Sequence, residues 1–109
     1  MVALGGMRNA YLDQRQAPRV EVYHRVRARV LGYGPVALQI VDISAGGYMA
    51  RTEAELAPGA SLSIRLPIVG DQNAEIRWAL AGRIGCQFTR PLDSQSYQRL
   101  VAALSKEPG

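Results

Sequence analysis

Cysteine and histidine each occur once in these 109 residues, as Cys86 and His24. A single thiol can build neither an intrachain disulfide nor a cysteine-based zinc site, and such usage fits a reducing, cytoplasmic compartment. No apolar run approaches the roughly 18 to 20 residues of a membrane span. Residues 1–11 lack the long apolar stretch of a secretory signal. Acidic charge is scarce at one end only: up to Val30, Asp13 and Glu21 face Arg8, Arg15, Arg19, Arg25, Arg27 and Arg29. Beyond Val30 cations and carboxylates balance, so the whole formal +4 belongs to the first thirty residues. A local excess of this kind points to an anionic partner met at the N-terminal end. The 48% hydrophobic content excludes disorder throughout, and the length suits one domain with one core.

Residues 1–18 show no period; Gly5, Gly6, Asn9, Asp13, Gln14, Gln16 and Pro18 mark them as a flexible N-terminal arm. The domain proper is expected over residues 19–105. Strict alternation starts after Arg19, with Val20, Val22, His24, Val26, Ala28 and Val30 on one face and Glu21, Tyr23, Arg25, Arg27 and Arg29 on the other. Period two with one apolar face is the pattern of a half-buried strand. Gly32-Tyr33-Gly34-Pro35 turns the chain into a second strand, Val36 to Ile43. Ser44-Ala45-Gly46-Gly47 ends that strand, and a third covers Tyr48 to Thr52. A fourth, Ser61 to Leu66, is followed by a turn at Gly70-Asp71-Gln72-Asn73. The fifth strand then places Ala74, Ile76, Trp78 and Leu80 on one face, and Ile84, Cys86 and Phe88 share one side of the sixth. After Pro91, with Asp93 or Ser94 as N-cap, Tyr97, Leu100, Val101 and Leu104 recur at helical spacing over about 93–105. The expected fold is mainly all-β: a small six-stranded antiparallel barrel with a C-terminal α-helix, since closure leaves no exposed edge.

Two segments carry candidate chemistry. Arg15 and Arg19 are four apart, on one side and about 13 Å apart if extended. Their guanidinium forks match a phosphate or the O6/N7 edge of guanine. At the end of the second strand, Asp42 can accept from a guanine N1–H and N2–H₂ edge, and Ser44 can donate to an oxygen. Gly46 and Gly47 leave room for close backbone approach. A basic strand entry and a Ser turn closing a hairpin are the plain alternatives for these two segments.

Arg15-x-x-x-Arg19 followed by Asp42-x-Ser44-x-x-Gly47 resembles the paired signature of PilZ domains. The order of elements, a later-strand Trp78 and the Gly85-Cys86-Gln87-Phe88 segment add to the likeness. The resemblance implies a six-stranded barrel that binds the bacterial second messenger cyclic di-GMP as ligand, needs no cofactor or metal, and performs no catalysis. It implies that Arg15 and Arg19 hold phosphates and guanine Hoogsteen edges from the arm. Asp42 and Ser44 would engage guanine, with Gly47 allowing close approach. Trp78 matches a position that some members pack against the ligand; by alternation alone it is equally a core residue of the fifth strand. Gln14 stands where many members carry another arginine, which leaves open one ligand or an intercalated pair. The function so implied is that of a stand-alone receptor whose arm orders on binding and alters its contact with a motility, pilus or polysaccharide-synthesis protein.

Other readings have less behind them. His24 sits on the apolar side of the first strand, and with Asp42 and Ser44 forms no nucleophile–base arrangement, so an enzyme is not expected. A nucleic-acid-binding barrel could track phosphates along Arg25, Arg27 and Arg29, but Tyr23 alone among aromatics shares that face. A PilZ-type module that binds no ligand and only docks on a protein is the third reading.

Overall fold

A computed structural model describes residues 19–105; the expected arm, with Gln14 and Arg15, lies outside the described residues. Six antiparallel strands follow in order: β1 (Val20–Val30), β2 (Gly34–Ser44), β3 (Gly47–Arg51), β4 (Ser61–Leu66), β5 (Gly70–Leu80) and β6 (Arg83–Phe88). They close into a barrel in the order β1-β2-β3-β6-β5-β4. The closing seam is short: Arg29 and Val30 pair with Ser63 and Leu62, extended by the Leu31 amide donating to the Ser61 carbonyl at 2.9 Å.

The alternation of β1 has the expected sense. Ala28 and Val30 are buried, while Glu21, Tyr23, Arg25, Arg27 and Arg29 are exposed. Ile40, Ile43, Ile76 and Ile84 from the strands and Leu100 from the C-terminal helix are the largest fully buried side chains of the core. A barrel this narrow must coil its strands strongly, and β-bulges supply the extra bend. Register shifts between Glu21 and His24, between Ile40 and Asp42, and between Ile76 and Trp78 mark three of them.

The third bulge overturns an expectation. Past it the alternation of β5 reverses, so Trp78 and Leu80 turn outward, 42% and 74% exposed, and Ala79 packs on the core instead. The expected turn at Gly70–Asn73 is also displaced. The chain reverses earlier, at Pro67-Ile68-Val69, where the Val69 amide donates to the Pro67 carbonyl at 2.6 Å around Ile68 at φ 70°. A three-residue γ-turn of this kind is tighter than the four-residue turn suggested by composition. Residues 70–73 therefore belong to β5, paired with β4 from Leu66↔Gly70 onward.

The C-terminal helix, α1 (Ser94–Ser105), is capped by Asp93. The Asp93 carboxylate accepts from the Ser96 amide at 2.7 Å and the Ser96 hydroxyl at 3.1 Å, satisfying an otherwise orphaned helix donor. These bonds hold the Asp93 carboxyl below its ordinary range. Leu100 and Leu104 enter the core. The approach is pinned by the Leu92 amide on the Ala45 carbonyl (2.9 Å) and the Tyr97 hydroxyl on the Ile43 carbonyl (3.0 Å). The helix thus lies over the end of the barrel where β1 begins and β6 finishes.

Candidate functional site

Strand register assembles the site. Glu21 opposes Asp42, Asp42 opposes Met49, Met49 opposes Gly85, and Gly85 opposes Trp78. One row of outward positions therefore crosses five strands. With strands about 4.8 Å apart, Asp42 and Trp78 stand about 14 Å from each other along the barrel surface. The second row, Ser44–Gly47–Gln87–Glu75, runs beside it. Between them lies a cleft of about 240 Å³ lined by Arg19, Asp42, Ser44, Gly47, Arg77, Trp78 and Gln87, among others.

Most of the residues singled out in the sequence meet here. Arg19 enters at the start of β1, close enough for its charge to act on Asp42. The Asp42 carboxyl is nonetheless raised from its ordinary value. Partial burial is the main cause and Glu21 adds to it, while Arg19 and a hydrogen bond from the Met49 amide oppose. Ser44 lines the cleft but is buried, its hydroxyl accepting from the Gly46 amide at 3.3 Å and reaching the Gly47 carbonyl at 3.4 Å. It closes the β2–β3 hairpin, as the Ser-turn alternative holds. Gly46 does not line the cleft; its carbonyl accepts from the Phe88 amide at 2.8 Å and ties the hairpin to β6. Gly47 is constrained by its own fold, because a Cβ there would collide with the Cys86 carbonyl oxygen across the β3–β6 pairing. Arg15 lies outside the described residues.

The structure adds residues that the sequence did not single out as ligand contacts. Gly85 provides a bed for Trp78: a Cβ there would run into the indole ring. The Trp78 indole thus packs against Gly85 while remaining exposed at the cleft. Arg77, on the same outward run of β5, lines the cleft while its guanidinium holds Glu75 at 3.5 Å. Gln87 faces the cleft from β6. Their signal in the sequence was alternation along the sixth strand, where Gly85 and Gln87 interleave with buried Ile84, Cys86 and Phe88. Below the floor, burial pushes the Cys86 thiol up to about 12 and lifts the phenol of Tyr48. A thiol so held is no nucleophile at neutral pH. Among the described residues no group of acidic, histidine or cysteine side chains could hold a metal ion, and no helix is long and apolar enough to cross a membrane.

The arrangement places a cation, an acceptor and an exposed indole around one cleft. The family model described as PilZ domain matches residues 13–106. The chain belongs to the PilZ domain family. PilZ domains are cyclic di-GMP-binding, regulatory modules. Both arginines of the Arg15/Arg19 pair and the Asp42–Gly47 segment fall inside the matched range. Among solved structures, this PilZ barrel is similar to "Crystal structure of PilZ domain of CeSA from cellulose synthesizing bacterium". The TM-score is 0.59 at 21% identity, over 82% of this chain and 96% of that one. No significant match was found among curated proteins.

Proposed function

We propose that this PilZ domain is a cyclic di-GMP receptor without catalysis of its own. The observation that carries the reading is the meeting of Arg19, Asp42 and Trp78 on one cleft. At about 240 Å³ the cleft takes a guanine rather than a whole cyclic dinucleotide. The base stacks beside the Trp78 indole, and its N1–H and N2–H₂ donors meet the Asp42 carboxylate. Arg19 and Arg15 take phosphodiester oxygens and the Hoogsteen edge of a guanine with bidentate forks. Ser44 contributes through the hairpin it holds in shape, and Gly47 through the strand pairing that sets the floor. Binding fastens the segment bearing Arg15 against the barrel and changes the surface presented to a cytoplasmic protein partner.

Isothermal titration calorimetry with cyclic di-GMP tests this. We expect saturable binding that is lost in Arg15→Ala and in Asp42→Ala, with the barrel's circular dichroism retained. Absence of heat from a folded wild-type chain at micromolar concentration would overturn the proposal in favour of a PilZ module that only docks on protein. The stoichiometry of the same titration distinguishes one ligand from an intercalated pair.

A further inference from the structure

A second concave surface, sharing no lining residue with the cleft, lies toward the other end of the barrel. Its floor is built from small residues. Ala37 faces outward from β2, and Ala81-Gly82 form the tight β5–β6 turn with φ of 54° and 78°. Thr52 locks the floor, its hydroxyl donating to the Ala37 carbonyl at 3.2 Å and its amide to the Gly82 carbonyl at 2.9 Å. The rim is arginine. Arg25 and Arg27 rise from β1 and Arg51 from β3, with Glu53 the one carboxylate among the lining residues.

Register makes this rim unusual. Arg25 opposes Gln39, Gln39 opposes Arg51, and Arg51 directly opposes Arg83. Like charges facing each other on adjacent strands repel. Among the described residues the ion pairs are Arg65 with Asp71 and Arg77 with Glu75, and no described carboxylate pairs with Arg25, Arg27, Arg51 or Arg83. Arg25 is held instead by Tyr23, with its guanidinium carbon 5.9 Å from the ring centroid and a 3.3 Å hydrogen bond to the phenol oxygen. Uncompensated, partly pre-positioned cations around a small-residue floor constitute an anion-binding groove.

We propose that this groove docks an extended, acidic polypeptide segment of a partner protein. Alternate residues of an extended chain point to the same side about 6.6 Å apart, so carboxylates can fork onto the arginines while small side chains rest on Ala37 and Gly82. Across the groove β1, β2 and β3 are already paired with one another, so a segment lying on it is recognised through these side chains rather than by β-addition. Nucleic acid fits less well. Single-strand grooves depend on several stacking rings, whereas here Tyr23 is committed to Arg25 and Tyr33 is the one aromatic among the lining residues. The chain's residues 1–18, with Arg8 and Arg15 against Asp13, have the wrong charge to fill the groove.

The test uses the full chain and a fluorescein-labelled twelve-residue peptide of alternating glutamate and alanine, read by anisotropy and by NMR shifts of the Ala37, Thr52 and Gly82 amides. Peptide binding should shift those three amides. Affinity should fall by at least about tenfold in R27E/R51E and by less than about twofold in R90E/R99E, which carries the same charge change on exposed residues outside the groove. If R27E/R51E does not fold, R27Q/R51Q takes its place with the same expected direction. Equal loss in both pairs, no peptide binding, or equally tight binding of a twelve-nucleotide oligo-dT at the same amides would overturn the proposal. So would displacement of the peptide by cyclic di-GMP. Cyclic di-GMP titration of R27E/R51E should match wild type, which separates failure of the groove from failure of the cleft.

Discussion

Asp42, proposed here to accept from the ligand, shows how a cleft residue can work against the fold that holds it. Its carboxyl is raised mainly by burial, so the folded state takes up a proton more readily than the unfolded chain. Stability contributed by this group therefore decreases as pH rises from the ordinary carboxylate range through the raised folded value. Asp42→Asn should leave thermal stability at pH 7 unchanged or slightly higher while abolishing cyclic di-GMP binding; differential scanning fluorimetry and calorimetry on the same samples check both halves. In the wild type, ligand affinity should weaken as acidification through that raised value neutralises the acceptor. Arg77, which lines the cleft from β5, should act more mildly. Arg77→Ala is expected to weaken ligand binding by about three- to tenfold, since its guanidinium is shared with Glu75 and exposed. The two glycines under the site differ in kind. Gly47→Ala drives a Cβ into backbone, which must shift, and should cost about 2 to 4 kcal/mol in urea unfolding. Gly85→Ala meets only a side chain, so it should displace the Trp78 indole, shift tryptophan emission to longer wavelength and impair ligand binding more than stability.

At the level of elements, the bulges and the helix cap decide what faces where. The shift between Ile76 and Trp78 converts an apparently core tryptophan into a wall of the cleft, and the shift between Ile40 and Asp42 lets Ile40 and Ile43 both point inward. The α1 helix depends on Asp93 for its start and on Leu100 for its anchorage. Asp93→Ala should lower the melting temperature at pH 7. Because the folded carboxyl is held below its ordinary value, the stability it contributes is present above the ordinary carboxylate range and disappears as pH falls through the depressed folded value. The difference between wild type and Asp93→Ala should therefore vanish in strong acid. Leu100→Ala, at a fully buried position, should cost about 2 to 5 kcal/mol and undock the helix, read as loss of helical ellipticity before barrel unfolding.

For the whole molecule, the cleft and the groove carry separate proposals because they share no lining residue. One cleft sits near the start of β1 and the helix, built to combine a cation, an acceptor and a ring. The broader groove sits by the β1–β2 and β5–β6 turns and carries three arginines against one carboxylate, Glu53. Ligand binding to the first should stabilise the folded chain by mass action. At a ligand concentration one hundred times Kd the gain is about 2.7 kcal/mol, which for a domain of this size raises the melting temperature by about 10 °C or more. That shift should be absent in Arg15→Ala and present in Arg27→Ala, which together separate messenger binding from general attraction to polyanions.

Local patterns, readable without a structure, determined much of this protein. Period-two alternation marked the six strands, a cap at Asp93 or Ser94 and the Leu100/Leu104 spacing marked the helix, and motif order grouped Arg19, Asp42 and Ser44, which the fold brings to one cleft. These signals are local because alternation, capping and turn chemistry act between residues close in the chain. The tertiary structure alone decided that Trp78 turns outward, that Gly47 and Gly85 are required by neighbours across β6 and β5, and that Arg51 faces Arg83. Each of these follows from cross-strand register and from bulges demanded by barrel closure. Register is a relation between segments far apart in sequence, so no window along the chain contains it.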